Sequence, residues 1–226
     1  MWNDGQFIPI VKNKDHNVKG KGNIQSELLN DEDKKTFERL NDLYIHTLIF
    51  GHFRSSSNYD NENSLLSGKN GVGVKCTNIF SKFFSVTGID PEKRLKFYQE
   101  WKNNMTTVTE PKVTECSTVS GSTEIRYIPD FQRFKMTTYP KEIMGIFKKL
   151  VIDVSSLLPQ TNFYFNGEKI PVKNLQSYAE LYYNEIPKDV LTIKYENSEV
   201  VIVGSEVPHS SVSFVNGQIT GGGGQH

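Results

Sequence analysis

A layered α+β sheet, rather than a doubly wound parallel one, is predicted by three features of this 226-residue sequence. Helical and strand signals are mixed without the regular alternation that a parallel sheet requires. An Asn166-Gly167 pair sits between two short strand-like runs, which favours a tight hairpin and hence antiparallel neighbours. Three strand-like segments, 191–195, 199–204 and 211–216, follow one another near the C-terminus with no helical pattern between them.

The elements follow in order. Met1 to Ile10 contains the turn signal Asn3-Asp4-Gly5, preceded only by Met1 and Trp2. A turn implies an element before it, so the domain is expected to lack its N-terminal part. Lys12 to Gly22 is polar and basic, a solvated loop. From Asp33 to Phe53 the residues Phe37, Leu40, Tyr44, Leu48 and Ile49 recur at helical spacing. Ser55 to Ser64 is a polar loop. Cys76 to Phe84 reads as a helix running into a strand. Thr123 to Ile128 alternates as a strand and ends at Pro129-Asp130. Pro140 to Leu158 predicts an amphipathic helix with proline near its first turn and a stripe of Ile143, Phe147, Leu150, Val154 and Leu157 or Leu158. Leu175 to Tyr183 suits a short helix. The terminal Gly221 to His226 has the look of an unfinished element.

Composition limits the function. Hydrophobic residues at 36%, with 14 Phe and 10 Tyr, are enough for a packed core. Lys+Arg and Asp+Glu are both 26, so the formal net charge is zero. A domain that held DNA mainly by neutralising phosphates would carry a basic excess, so DNA contact is expected to be local or made elsewhere in a larger protein. Cys76 and Cys116 have no Cys or His at metal-ligand spacing and make no disulfide framework; Cys76 is expected to be a buried free thiol. No apolar stretch approaches the roughly 20 residues of a membrane span, and Asn3-Asp4-Gly5 leaves no room for a signal peptide. An intracellular, soluble protein is expected.

The strongest chemical signal is Ser67-Gly68-Lys69-Asn70-Gly71-Val72-Gly73-Val74-Lys75. Three glycines within six residues let backbone N–H groups converge on an anion without Cβ clashes. It is not a P-loop: Gly68 and Gly73 have the spacing, but Val74 stands at the lysine position. It is not a dinucleotide fingerprint, because the third glycine position holds Cys76 and no clear strand precedes it. On its own the segment is as compatible with a flexible loop as with an anion site.

Its neighbours decide between them. Trp2-Asn3-Asp4-Gly5, Leu48-Ile-Phe-Gly51, Ser55-Ser-Ser-Asn-Tyr-Asp60, Gly68 to Lys75 and Asn78-Ile-Phe-Ser81 occur in that order. In this the chain resembles the ATPase region of eukaryotic-type (including viral) type IIA DNA topoisomerases, members of the histidine-kinase-like ATPase superfamily. The family pattern runs Trp-Asn-Asn-Gly-x-Gly-Ile-Pro, Leu-Ile-Phe-Gly, Thr-Ser-Ser-Asn-Tyr-Asp, Gly-x-Asn-Gly-x-Gly-x-Lys and Asn-Ile-Phe-Ser. Pro129-Asp130, Phe134-Lys-Met136, Phe165-Asn-Gly167, Pro171-Val-Lys173 and Ser213-Phe-Val-Asn216 extend the likeness over nearly the whole chain.

The resemblance implies a two-layer α/β sandwich of the histidine-kinase-like type over residues 1–183, followed by the start of a transducer domain over 184–226. It implies ATP and Mg2+ as cofactors, a homodimer in the intact enzyme, DNA bound through the rest of that enzyme, no membrane, and a nuclear location, or cytoplasmic if viral. Asn3 falls at the adenine-contacting position, and Gly5 would let the backbone approach the base. Ser56, Ser57 and Asn58 would face ribose and phosphates. Gly68, Asn70, Gly71, Val72, Gly73, Val74 and Lys75 would wrap the phosphates, with Lys75 compensating charge.

Departures from the pattern qualify that assignment. Phe7 stands where the family has a second glycine, which is expected to narrow the adenine side of the pocket or to change the local turn. The family's water-activating glutamate and magnesium-holding asparagine lie on a helix upstream of its first motif, its γ-phosphate-sensing lysine on a later transducer loop, and its DNA-cleaving tyrosine far beyond. No catalytic residue is therefore assigned here, and weak or absent hydrolysis is expected of this chain alone. The rival expectation is a truncated, non-catalytic nucleotide-binding or interaction module. Asp15, Glu27, Asp31, Glu32 and Asp33 are expected to be solvated charge. His46 and His52, six residues apart, do not share a helical face as metal ligands and are expected to be structural or on the surface.

Overall fold

The computed structural model describes residues 1–5, 7–15, 35, 38–53, 55, 71–183, 185, 189–196, 198–204 and 211–221. Those up to Thr137 pack as one compact unit and those from Thr138 as a second, so residues 138–183 share a unit with the strands after 184.

The first unit is built on an antiparallel sheet. Its strands are β1 (Trp2–Asn3), β2 (Ser81–Asp90), β3 (Leu95–Lys102), β4 (Thr107–Val108), β5 (Lys112–Glu115) and β6 (Ser122–Pro129), in the order β1-β6-β2-β3 with β4 and β5 both pairing β3. Side chains alternate across a strand, so one face of β2 carries Phe84, Val86, Gly88 and Asp90. The register sets Phe84 opposite Trp101, Val86 opposite Gln99 and Gly88 opposite Phe97. Two short helices pack with this sheet, α1 (Ile45–Gly51) and α2 (Gly73–Ile79). Ile10, Phe50, Phe84, Val86, Phe97 and Trp101 form the buried cluster, with Ile49, Val74 and Ile125 against it. Each such side chain contributes about 1.5–3 kcal/mol by transfer from water.

The helix expected over Asp33–Phe53 is broken among the described residues. Glu38 to Asn41 is helical, a turn follows, and α1 starts only at Ile45. The cause is competition for backbone hydrogen bonds. Asn13 N–H donates to the Leu43 carbonyl at 2.8 Å and Ile45 N–H to the Val11 carbonyl at 3.0 Å. Tyr44 is consequently extended (φ −64°, ψ 147°) and bridges Lys12.

The second unit holds α3 (Lys141–Leu157), β7 (Tyr164–Phe165), β8 (Glu168–Lys169), α4 (Leu175–Glu180), β9 (Val190–Tyr195), β10 (Ser198–Val203), β11 (Phe214–Val215) and β12 (Gln218–Ile219). β7–β8 is the expected hairpin: Asn166 (φ 50°) and Gly167 (φ 83°) supply two positive φ values in succession. Asn216 and Gly217 repeat the device between β11 and β12. α4 is capped reciprocally, Asn174 accepting from the Ser177 N–H while the Ser177 side chain takes the Asn174 N–H. The stripe expected on α3 is not its buried side. Leu150 is 50% exposed, while Asp153, Ser155 and Ser156 are buried and Val151 and Ile152 pack against Ile170, Val172 and Tyr178. Asp153 can face inward because Lys149 Nζ reaches both its oxygens (2.9 and 2.7 Å) and Tyr178 Oη donates at 2.8 Å.

One polar residue inside the first unit has no such partner. His46 is fully buried, stacks on Phe97 at 4.5 Å between centroids, and neither ring nitrogen is hydrogen-bonded. Glycine at position 88 makes room for it: a Cβ there would lie 2.2 Å from His46 Nε2. Burial pushes the imidazole down to about 4, against an opposing pull from Asp90. The unfolded imidazole titrates near 6.5, so between those values the unfolded chain binds more protons. Stability is therefore full above pH about 6.5 and falls as the pH drops toward about 4, by a total on the order of 3 kcal/mol. Urea unfolding of wild type and His46→Leu from pH 4 to pH 7.5 checks this: the leucine variant should lose that part of the pH dependence.

Candidate functional site

The glycine segment is described from Gly71 onward, and its geometry follows from one close approach. Gly71 has φ +55°, and a Cβ added there would lie 2.1 Å from the Ser55 carbonyl oxygen. Only glycine fits both conditions. Gly73 opens α2 with free space around its Cα. Val72 is partly exposed, whereas Val74 packs on the core cluster.

Lys75 is only 1% exposed, and its Nζ donates to the Ser55 carbonyl at 3.0 Å. Ser55 is held in turn by its own hydroxyl, which reaches the Leu48 carbonyl at 2.7 Å and the His52 carbonyl at 2.8 Å. Asn78, one helical turn along, donates Nδ2 to the Phe50 carbonyl at 2.9 Å. Two side chains of α2 thus fasten it to the end of α1 and the residues after it, satisfying carbonyls that a helix terminus leaves open.

The electrostatics there have one sign. Burial lowers the Lys75 ammonium to about 8. His52 is lowered by burial first, then by the positive charges of Arg39 and Lys75. Among the described residues no carboxylate pairs with Lys75. A cation taken out of water is costly unless paired or hydrogen-bonded, and the partner described for Lys75 is the Ser55 carbonyl.

Asn3 and Gly5 lie on the β1 side of the sheet. Asn3 pairs with Thr123 of β6, both Asn3 and Gly5 are exposed, and nothing stands within 4 Å of a Cβ built on Gly5. Phe7 is half-buried with its ring on Gly121, where an added Cβ would meet Cδ1 at 2.7 Å. The structure therefore brings Gly71, Val72, Gly73, Val74 and Lys75 together beside Ser55. No described contact joins Asn3 or Gly5 to them. Ser56, Ser57, Asn58, Gly68 and Asn70 lie outside the described residues. Ser55, Asn78, His52 and Arg39 were not singled out from the sequence as site residues. Asn78 was visible only as part of a recognition motif, and Arg39 and His52 carried no local pattern. Cys76 is free and half-buried rather than buried. Among the described residues no group of three or more His, Cys, Asp or Glu side chains could hold a metal ion, and no helix is long and apolar enough to cross a membrane.

No protein-family model matches the chain. Individual proteins do. DNA topoisomerase 2 of Invertebrate iridescent virus 6 is 42% identical over the whole chain, and that of Saccharomyces cerevisiae 34% over 81% of it. The chain spans 19% and 14% of the length of these two relatives. The solved ATPase region of Saccharomyces cerevisiae topoisomerase II superposes with a TM-score of 0.76 at 32% identity, covering 97% of this chain and 52% of that one. The ATPase and transducer domains of topoisomerase II from Balamuthia mandrillaris give 0.76 at 28% identity, covering 96% and 50%. An antiparallel sheet with helices, matching the ATPase region of type II topoisomerases, is the class that the fold and glycine turn define. The chain belongs to the DNA topoisomerase 2 family.

Asn78 tests how firmly α2 is fastened. Asn78→Leu removes the donor to the Phe50 carbonyl and leaves that acceptor buried, so chemical denaturation should show a loss of about 1–3 kcal/mol. A change under a few tenths of a kcal/mol would show that the tie is idle.

Proposed function

We propose that this chain is the ATP-holding part of an ATP-hydrolysing type IIA topoisomerase that passes one DNA duplex through another. The observation that supports it is the positive-φ glycine turn at Gly71, with the buried ammonium of Lys75, which no described carboxylate pairs, behind it. Backbone N–H groups in an open glycine turn and a nearby cation are what a polyphosphate requires. Asn3 is proposed to contact adenine, with Gly5 admitting the base. Ser56, Ser57 and Asn58 would face ribose and phosphates, and Gly68, Asn70, Gly71, Val72, Gly73, Val74 and Lys75 would wrap the phosphates. Magnesium would come with the phosphates of ATP.

In the whole enzyme this region would dimerise as a gate, DNA being held through the remainder, in the nucleus or, for a viral enzyme, the cytoplasm. Residues 1–183 would serve ATP binding, and β9–β10 would be the first strands of a transducer domain beginning near 184. A second reading, a nucleotide-holding module that does not turn ATP over, is favoured by Phe7. Its ring occupies the position of a family glycine and rests on Gly121.

Binding of a non-hydrolysable ATP analogue to the purified chain tests the proposal. Gly71→Ala strains the αL backbone and drives a methyl group into the Ser55 carbonyl. It should weaken analogue binding roughly tenfold or more, whereas Gly73→Ala, with open space around it, should cost far less. Equal effects at the two glycines would remove the turn from the site. The chain alone is expected to hydrolyse ATP weakly or not at all, because no residue matched here is assigned as the general base. Robust turnover in a preparation free of contaminating ATPases would overturn that. Comparing the analogue affinity of wild type and Phe7→Gly separates the two readings: a gain on removing the ring favours the module, and no binding by either protein defeats both.

A further inference from the structure

An ammonium has three donors, and among the described residues Lys75 uses one, on a backbone carbonyl twenty residues earlier. Charge compensation of phosphates does not require that contact, and a flexible lysine at a binding site would ordinarily extend into water. Here the side chain is buried and aimed at the carbonyl against which Gly71 is also pressed. We infer that Lys75 is a positioning residue: it ties Ser55 to the glycine turn, so that one ammonium fixes Ser55 and Gly71 together before any nucleotide arrives. Its two remaining donors would complete themselves on the phosphates. That second half rests on the nucleotide reading; the tie itself does not.

Among the described residues the surroundings support a cation held by geometry rather than by a counter-charge. The described charge shown to interact with Lys75 is that of His52, the residue after α1, which Arg39 also influences; both are basic. Burial alone lowers Lys75 to about 8. A bound polyanion would raise it again, so analogue affinity should fall as the pH rises through about 8.

Amide hydrogen exchange of the nucleotide-free chain tests the tie. With Lys75→Met, the amides of Ser55 and Gly71 should exchange at least roughly tenfold faster, while those of β2 keep their protection. Unchanged exchange at Ser55 and Gly71 overturns the inference. Should the methionine variant lose protection throughout β2, the unmodified chain decides. The amide shifts of Ser55 and Gly71 should then titrate together with a midpoint near pH 8, and a flat response overturns the tie. Adenosine, which has no phosphate, separates positioning from charge. If Lys75 positions Ser55 and the glycine turn, Lys75→Met weakens adenosine as well as the ATP analogue by at least roughly threefold, and Lys75→Met removes the pH dependence of analogue binding. Loss of affinity for the analogue alone would make Lys75 a charge and nothing more. If neither ligand binds the wild type, the nucleotide reading fails, and the exchange result still decides the tie.

Discussion

The Ser55 carbonyl oxygen is the point on which this end of the molecule depends. Three things converge on it or its residue: the Cα of Gly71, the Nζ of Lys75, and the hydroxyl that Ser55 itself returns to the end of α1. A helix end leaves carbonyls without intrahelical partners. Here Asn78 serves Phe50, while Ser55 Oγ reaches His52 and also Leu48, which accepts the His52 N–H as well. The same groups that close α1 therefore place α2, and α2 begins where the glycine turn ends. The site is a by-product of how two short helices satisfy one another on a sheet.

That sheet can carry them because its inner face mixes large and absent side chains. Phe84, Phe97 and Trp101 fill volume, while Gly88 leaves the space that His46 occupies. A buried imidazole with no hydrogen-bond partner is an unfavourable choice in isolation. It is held neutral by burial and stacked on Phe97, so its cost is one of desolvation rather than of charge. Phe7 and Gly121 repeat the pattern elsewhere, a bulky ring set against a residue with no side chain. In both cases the glycine matters for the volume it does not occupy, not for backbone freedom.

Much of this was legible in the sequence where the signal is local. The Asn166-Gly167 turn, the strand ending at Pro129 and the helix after Pro140 depend on neighbours in the chain, and all appear with nearly the expected bounds. Expectations failed where distant segments intervene. The 33–53 pattern is periodic, yet Leu43 and Ile45 give backbone groups to Asn13 and Val11, about thirty positions away, and no local pattern carries that. The stripe on α3 was misplaced for a related reason. Asp153 is buried only because Lys149 and Tyr178 satisfy it, and Tyr178 comes from another helix. For the site, Gly71 and Lys75 were readable as a motif. That Lys75 turns inward, and that Arg39 and His52 share its surroundings, depends on tertiary packing.

Global and local charge make opposite statements about this chain, and both follow from its physics. Its formal net charge of zero argues against a surface that gathers DNA by long-range attraction. Yet at one corner Arg39 and Lys75 both act on His52, with no carboxylate paired to Lys75 among the described residues. Attraction over a distance is screened within about 10 Å in ordinary salt, whereas a buried charge acts at full strength on whatever touches it. A small anion entering beside Gly71 would feel the second and hardly the first. An overall neutral chain can thus still hold a local concentration of positive charge at one corner, whose effect is confined to what touches it.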